Sequence, residues 1–221
     1  MLSLFSLLAC SSKDAEHPNP IHWGNDFTIK YLKNDSVNQL VAVQYVGGYD
    51  ARIKLYVKSH EDGKTIWTKT LDCMGVVGKN GLGKTREGDM KTPIGDFGIT
   101  TAFGILKNPG TTIPYINIKE TTWACGEPWA YNQIIDTSDY DQECKEGEHM
   151  ITYTPEYNYG LALDYNKECE FGRGSAIFFH CTGAKPYTGG CIAVEQKDMK
   201  QILCTLDANA RIVIDYMPAE Y

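Results

Sequence analysis

Apolar and polar residues alternate cleanly from Arg52 to Lys58, with Ile53, Leu55 and Val57 on one side, and more loosely through the valine-rich run from Gln39 to Val46. A period of two sends successive side chains to opposite faces, so both segments predict strands. Glu61-Asp62-Gly63-Lys64 reads as a hairpin turn into a further strand from Thr65 to Leu71. Cys73 to Val77 is a short apolar run ending in a glycine-rich loop. Strand patterns recur at Phe97 to Ala102, Tyr115 to Ile118, Gly160 to Tyr165, Ser175 to His180, Cys191 to Val194 and Arg211 to Asp215. Only Gln196 to Leu206 carries the helical period, with Met199, Ile202, Leu203 and Leu206 on one face. Many short strands separated by glycine turns predict a mainly β sandwich or barrel with few short helices.

At 221 residues the chain is sized for one domain with appendages. The net charge of −7, with no basic run, excludes a nucleic-acid surface. Acidic residues concentrate from Asp136 to Glu148, which reads as a solvated loop. The apolar start from Met1 to Cys10 is far too short to span a bilayer, and Leu7-Leu8-Ala9-Cys10 resembles a lipobox, with Cys10 as the lipidated residue. Ser11 to Pro20 is a polar, proline-punctuated tether. Residues 1–22 are therefore expected to be a lipoprotein-type signal remnant and tether, and 23–221 a single domain. The expected location is the cell envelope, with membrane association through Cys10.

Export gives the 8 cysteines a second meaning. Setting aside Cys10 and Cys191 leaves Cys73, Cys125, Cys144, Cys169, Cys181 and Cys204 for disulfides, and Cys125 with Cys144 flanks the acidic loop. No two cysteines have structural zinc spacing, so no metal is expected.

The chemistry-bearing pattern is Phe178-Phe179-His180 followed by Thr188-Gly189-Gly190-Cys191-Ile192. A loop containing Gly183, Pro186 and Tyr187 could return Cys191 to the imidazole of His180. Two glycines leave the backbone before the sulfur bare, so that the amides of Gly190 and Cys191 could face an oxyanion. A buried small cysteine beside a core histidine is the bland alternative. Gly78 to Thr85 matches a phosphate-loop pattern, but Gly88, Pro93 and Gly95 interrupt the helix such a site needs, so no nucleotide site is expected. Ser175 lacks a nucleophile elbow. His17, His22, His60 and His149 have no evident partner. Trp123, Trp129 and Tyr131 could line a cleft for sugar or peptide, or serve packing.

These residues resemble the catalytic segment of the L,D-transpeptidases of the YkuD type. The likeness extends through Gly78-Lys79-Asn80-Gly81, Lys84, Glu87-Gly88-Asp89, Lys91-Thr92-Pro93-Ile94-Gly95-Asp96-Phe97, Trp123, Pro128, Tyr131-Asn132, Asp136 and Tyr165-Asn166, covering roughly residues 38 to 216. Gly189 stands where many members have a second His, and Ala193 where many have an Arg. Both match a subgroup with a Thr-x-Gly-Cys turn.

The resemblance implies a mixed β-sandwich with Cys191 at the rim of a cleft and a Cys acyl-enzyme formed on a peptidoglycan stem peptide. D-alanine would leave, and the amine of a second stem would complete a cross-link. It implies His180 as the base, held by a backbone carbonyl such as that of Cys181, and Thr188, Gly189 and Gly190 as the active-site turn. Lys84, Glu87, Asp89, Trp123, Tyr131, Asn132 and Tyr187 become candidate substrate contacts, though Lys84, Arg86, Glu87 and Asp89 also read as surface charge. No cofactor is expected, and the chain is expected to be a monomer. A water acceptor would give an L,D-carboxypeptidase, and loss of catalysis a wall-binding lipoprotein. Lowering the thiol pKa from ~8.5 to near 6 requires about 3.4 kcal/mol of thiolate stabilisation, for which an imidazolium is the expected source.

Overall fold

The computed structural model describes residues 31, 34, 36–62 and 64–216. Cys10, the tether, His17 and His22 lie outside the described residues. One ten-stranded sheet forms the body. Its first half comprises β1 (Gln39–Gly47), β2 (Asp50–Glu61), β3 (Lys64–Val76), β4 (Gly95–Phe97) and the last strand, β13 (Arg211–Tyr216). Its second half comprises β5 (Ile99–Gly104), β6 (Tyr115–Asn117), β10 (Gly160–Leu163), β11 (Phe178–Cys181) and β12 (Ile192–Val194). The spatial order is β4-β13-β1-β2-β3-β12-β11-β10-β5-β6, so the β3–β12 pair joins the halves.

Alternation explains how one sheet makes a closed core. Val41, Val43, Ile53, Leu55, Ile212 and Ile214 share a cluster with Leu161, Phe179, Ile192 and Val194 from the other half. The sheet therefore folds its halves onto a common interior, as in a mainly β sandwich. The α-helix α1 (Gln196–Thr205) presses Met199, Ile202 and Leu203 into the same interior. Each such buried aliphatic side chain contributes about 1.5–3 kcal/mol. On the opposite face of β1, Leu40 and Ala42 pack with Val213 and Tyr31.

A second, three-stranded sheet runs β8–β7–β9, with β7 (Thr122–Cys125), β8 (Gln133–Asp136) and β9 (Gly147–His149). Asp136 to Glu148 is therefore not one solvated loop: β9 leaves it to pair with β7, opposing Ala124 to Glu148. The Cys125–Cys144 disulfide ties the excursion down, with Cα atoms 5.9 Å apart. Gly147, at φ +124°, must be glycine, because a Cβ there would lie 2.3 Å from the carbonyl oxygen of Ala124. The other expected disulfide cysteines are free: Cys73, Cys169, Cys181 and Cys204.

Several boundaries differ from the sequence patterns for local reasons. Thr65 to Leu71 and Cys73 to Val77 merge into β3, which pairs with β2 along its length despite a register shift at Leu55/Tyr56. The strand expected from Ser175 begins at Phe178, because Ala176 adopts φ +52° and gives its N–H to Asn132 Oδ1. No helix follows Gly78 to Thr85, as the glycines and proline downstream required.

Candidate active site

Strands β11 and β12 run parallel, pairing Phe179 with Ile192 and His180 with Ala193. Cys191 immediately precedes Ile192 and falls beside Phe178, whose amide N–H donates to Sγ at 3.3 Å. The thiol itself donates to the carbonyl of Ala176 at 3.1 Å. One strand register thus brings His180 and Cys191, 11 residues apart in sequence, to one cleft of about 710 Å³.

The Nδ1 of His180 lies 2.7 Å from the carbonyl oxygen of Cys181. A carbonyl only accepts, so Nδ1 carries the proton and Nε2 keeps its lone pair. Among the described residues no hydrogen bond joins the imidazole to the sulfur.

The turn before Cys191 is held from beneath. Hydroxyls of Thr188 and Thr92 both donate to the Cys191 carbonyl, at 2.6 and 3.2 Å. Thr92 Oγ1 also accepts from the Gly78 N–H at 2.8 Å, and the Lys79 N–H donates to the Thr188 carbonyl at 3.0 Å. The glycine-rich segment that mimics a phosphate loop is therefore the brace of this turn. Gly190 adopts φ +147°, and a Cβ on it would meet the Lys91 carbonyl oxygen at 2.8 Å. Its N–H donates to Thr188 Oγ1 at 3.2 Å, so that amide is engaged in the turn rather than free for an oxyanion. Gly189 has open space around its Cβ position.

Of the expected contact residues, Lys84, Glu87, Tyr131 and Tyr187 line the cleft, as do Thr188, Gly189 and Gly190. Glu87 Oε2 accepts from the hydroxyls of Tyr131 and Ser175, fixing one wall. Three expected contacts lie elsewhere. Trp123 stacks on His149 with centroids 4.8 Å apart. Asn132 spends its amide on the carbonyls of Tyr165 and Asn166 and its oxygen on the Ala176 N–H, which positions the thiol's acceptor. Asp89 accepts from the backbone of Thr85, Arg86 and Lys91 and pairs with Lys84 at 3.0 Å, so it organises the loop. Trp129 packs on Tyr140, also away from the cleft.

Sequence reasoning missed Glu148, Tyr157 and Glu156, which line the cleft. Their signal was weak: one acidic residue at the end of an acid-rich stretch, another beyond it, and one tyrosine among 14.

A family model for the L,D-transpeptidase catalytic domain, YkuD, matches residues 50–214. The chain belongs to the YkuD family. No curated protein matches it. Among solved structures it is similar to the helical cell shape determining protein Pgp2 from Campylobacter jejuni, with 15% identity and a TM-score of 0.43. That similarity covers 87% of this chain and 55% of Pgp2, so the chain spans about half the length of that protein.

Within the YkuD pattern, the departures at Gly189 and Ala193 have structural counterparts. Gly189 leaves room where many members carry an imidazole, and Ala193 sits at 1% exposure on the cleft lining where many carry a guanidinium. Lys84 also lines the cleft, with its side chain 2% exposed and paired with Asp89.

The electrostatics correct the expected thiolate–imidazolium pair. Burial pushes the Cys191 thiol up to about 12, and the charge of Glu148 pushes the same way, against the Phe178 N–H and Lys84. Burial lowers the pKa of His180, opposed by its hydrogen bond to Cys181. With the cleft empty, sulfur and ring are both neutral.

Asp89 shows the opposite behaviour. Burial raises its pKa, but backbone donors and Lys84 together hold it down at about 2. A carboxylate depressed in the fold stabilises the fold above its unfolded pKa, near 3.9, and that contribution is lost as pH falls toward the folded value. Asp89→Asn is expected to flatten the decline in stability between about pH 5 and 2, where the native carboxylate contributes about 2 kcal/mol. Denaturant midpoints across that pH window measure it.

Proposed function

We propose that the chain is an exported peptidoglycan L,D-transpeptidase that forms a Cys191 acyl-enzyme on one stem peptide and transfers it to the amine of another. The observation that carries this reading is a His with a fixed tautomer and a Cys, both lining one cleft in a chain of the YkuD family.

The reaction follows from the site. A stem tetrapeptide enters the cleft and places the carbonyl of its third residue over Sγ. The thiol leaves its Ala176 contact and its proton passes to His180 Nε2, while sulfur forms a bond to the carbonyl carbon. The tetrahedral intermediate collapses as the imidazolium gives its proton to the departing D-alanine amine. The thioester remains. The side-chain amine of a second stem then attacks, losing its proton to the same imidazole, and sulfur departs as the thiol is restored. No nucleotide or metal is consumed. Anchoring at Cys10 would keep this chemistry at the wall.

Incubation of purified protein with stem tetrapeptide, with and without an amine acceptor, tests the assignment by mass spectrometry. Cross-linked dimers with release of D-alanine are expected. Tripeptide alone would make the protein an L,D-carboxypeptidase with the same acyl-enzyme. Neither product, with persistent binding to sacculi, would leave a wall-binding lipoprotein.

A further inference from the structure

Lys84 leaves the loop that braces the active-site turn and reaches both supports of the Cys191 sulfur. Its stem runs against Gly174, where a Cβ would lie 2.4 Å from Lys84 Cε. Its ammonium ends beside Gly190, where a Cβ would lie 3.5 Å from Nζ. Gly174 opens the segment to Ala176, whose carbonyl accepts from the thiol at 3.1 Å, and Gly190 directly precedes Cys191. One side chain therefore touches the segment that carries the thiol's acceptor and faces the turn that carries the thiol. Only a residue without a Cβ at position 174, where φ is +112°, admits the stem.

The tip of this side chain is fixed. Nζ donates to Asp89 Oδ1 at 3.0 Å, with the two side chains 2% and 8% exposed. Asp89 is held in turn by the N–H groups of Thr85, Arg86 and Lys91. Lysine ordinarily keeps a mobile stem and a strongly hydrated head, so a lysine buried and pinned in this way has given up both. The segment it touches is anchored as well: the Gly174 N–H donates to the Tyr131 hydroxyl and the Ala176 N–H to Asn132 Oδ1, each at 3.0 Å. We propose that Lys84 is a positioning residue for Cys191: pinned by Asp89, its stem is the spacer that sets the Ala176 carbonyl and the Gly190–Cys191 turn at their separation. A place in the cleft lining suggests a substrate contact, but the charge of Lys84 is spent on Asp89, and the length of the side chain is what the site uses.

This inference rests on Cys191 being the nucleophile of the proposed reaction, and one of its two readouts needs no turnover. Lys84→Ala removes the stem. Lys84→Met keeps it as far as the position of Cε and removes the ammonium. Each is made alone and together with Asp89→Asn, so that the comparison is also run with no buried carboxylate left without its cation. Lys84→Ala is expected to lower kcat for stem tetrapeptide about tenfold or more with KM within about threefold, because a displaced nucleophile loses rate rather than binding. Lys84→Met is expected to recover most of that loss. The second readout is hydrogen exchange by NMR at the Phe178 amide, which donates to the sulfur. Its protection, relative to the amides of β2, is expected to fall about tenfold in Lys84→Ala and to return in Lys84→Met. A rise in KM with kcat retained would make Lys84 a substrate contact, and equal losses in the Ala and Met variants would assign the effect to charge. Either result overturns the proposal, as does unchanged Phe178 protection in Lys84→Ala. Wild-type protein that turns nothing over, with the exchange contrast intact, would refute the reaction assignment and leave the spacer role supported.

Discussion

Cys191→Ala is expected to reduce turnover of stem tetrapeptide by about 10^4-fold or more while leaving the protein folded, because the covalent step has no second nucleophile to fall back on. Cys191 is 8% exposed and exchanges two hydrogen bonds, with the Phe178 N–H and the Ala176 carbonyl. Deleting the sulfur leaves these two backbone groups unpaired, at about 1–3 kcal/mol for each that stays dry. The sheet core, built by β1, β2, β10 to β13 and α1, is untouched by the substitution. Cys191→Ser separates packing from chemistry. It keeps a donor and an acceptor in place, yet a hydroxyl gives up its proton far less readily than a thiol, and His180 is held by the Cys181 carbonyl rather than by a carboxylate that would stabilise the imidazolium, so it should be nearly as inactive. Product quantification alongside thermal unfolding checks both halves. Activity within tenfold of wild type in either variant would remove the sulfur from the mechanism.

Gly190→Ala is the second large effect, and its neighbour is the control. An alanine at position 190 must adopt φ +147° and place Cβ 2.8 Å from the Lys91 carbonyl oxygen, which is backbone and cannot swing aside. Strain of this kind costs about 1–3 kcal/mol, and relief requires moving the turn that sets Cys191. A displacement of about 1 Å at a nucleophile costs about 10^2-fold in rate. At Gly189 a methyl meets nothing within 4 Å, so Gly189→Ala should keep activity within a few-fold and stability within about 0.5 kcal/mol. Steady-state rates and melting temperatures of the two variants test the contrast. Equal loss in both would mean that the turn is restricted by something other than the Gly190 backbone.

The parts of this molecule that were legible in its sequence are those whose information is local. Alternation at Ile53, Leu55 and Val57 places β2, and the spacing of Met199, Ile202, Leu203 and Leu206 places α1, because each pattern is written within one element. The Cys125–Cys144 bridge was marked by its position around the acidic stretch. What the sequence hid is relational. Asn132 looked like a substrate contact, yet it braces Ala176, 44 residues away, and nothing near Asn132 announces that partner. Trp123 reads equally well as cleft or packing until β7 and β9 pair and bring His149 beneath it. Strands β7 to β9 are only three or four residues long, too short for a periodic signal. The neutral state of the Cys191 thiol was equally hidden. A pattern of His and Cys suggests an ion pair, whereas burial and a carboxylate from a distant strand decide otherwise.

The proposed reaction requires Cys191 to be an open, acylatable nucleophile served by His180. The YkuD resemblance implies that a carbapenem occupies the donor peptide's place, so intact-mass measurement after incubation with one tests that requirement most directly. The expected result is a single adduct with the mass of the intact drug, mapped to the peptide containing Cys191, absent from Cys191→Ala and slowed when His180 is replaced. No adduct on the folded protein, or an adduct that persists in Cys191→Ala, would contradict the account.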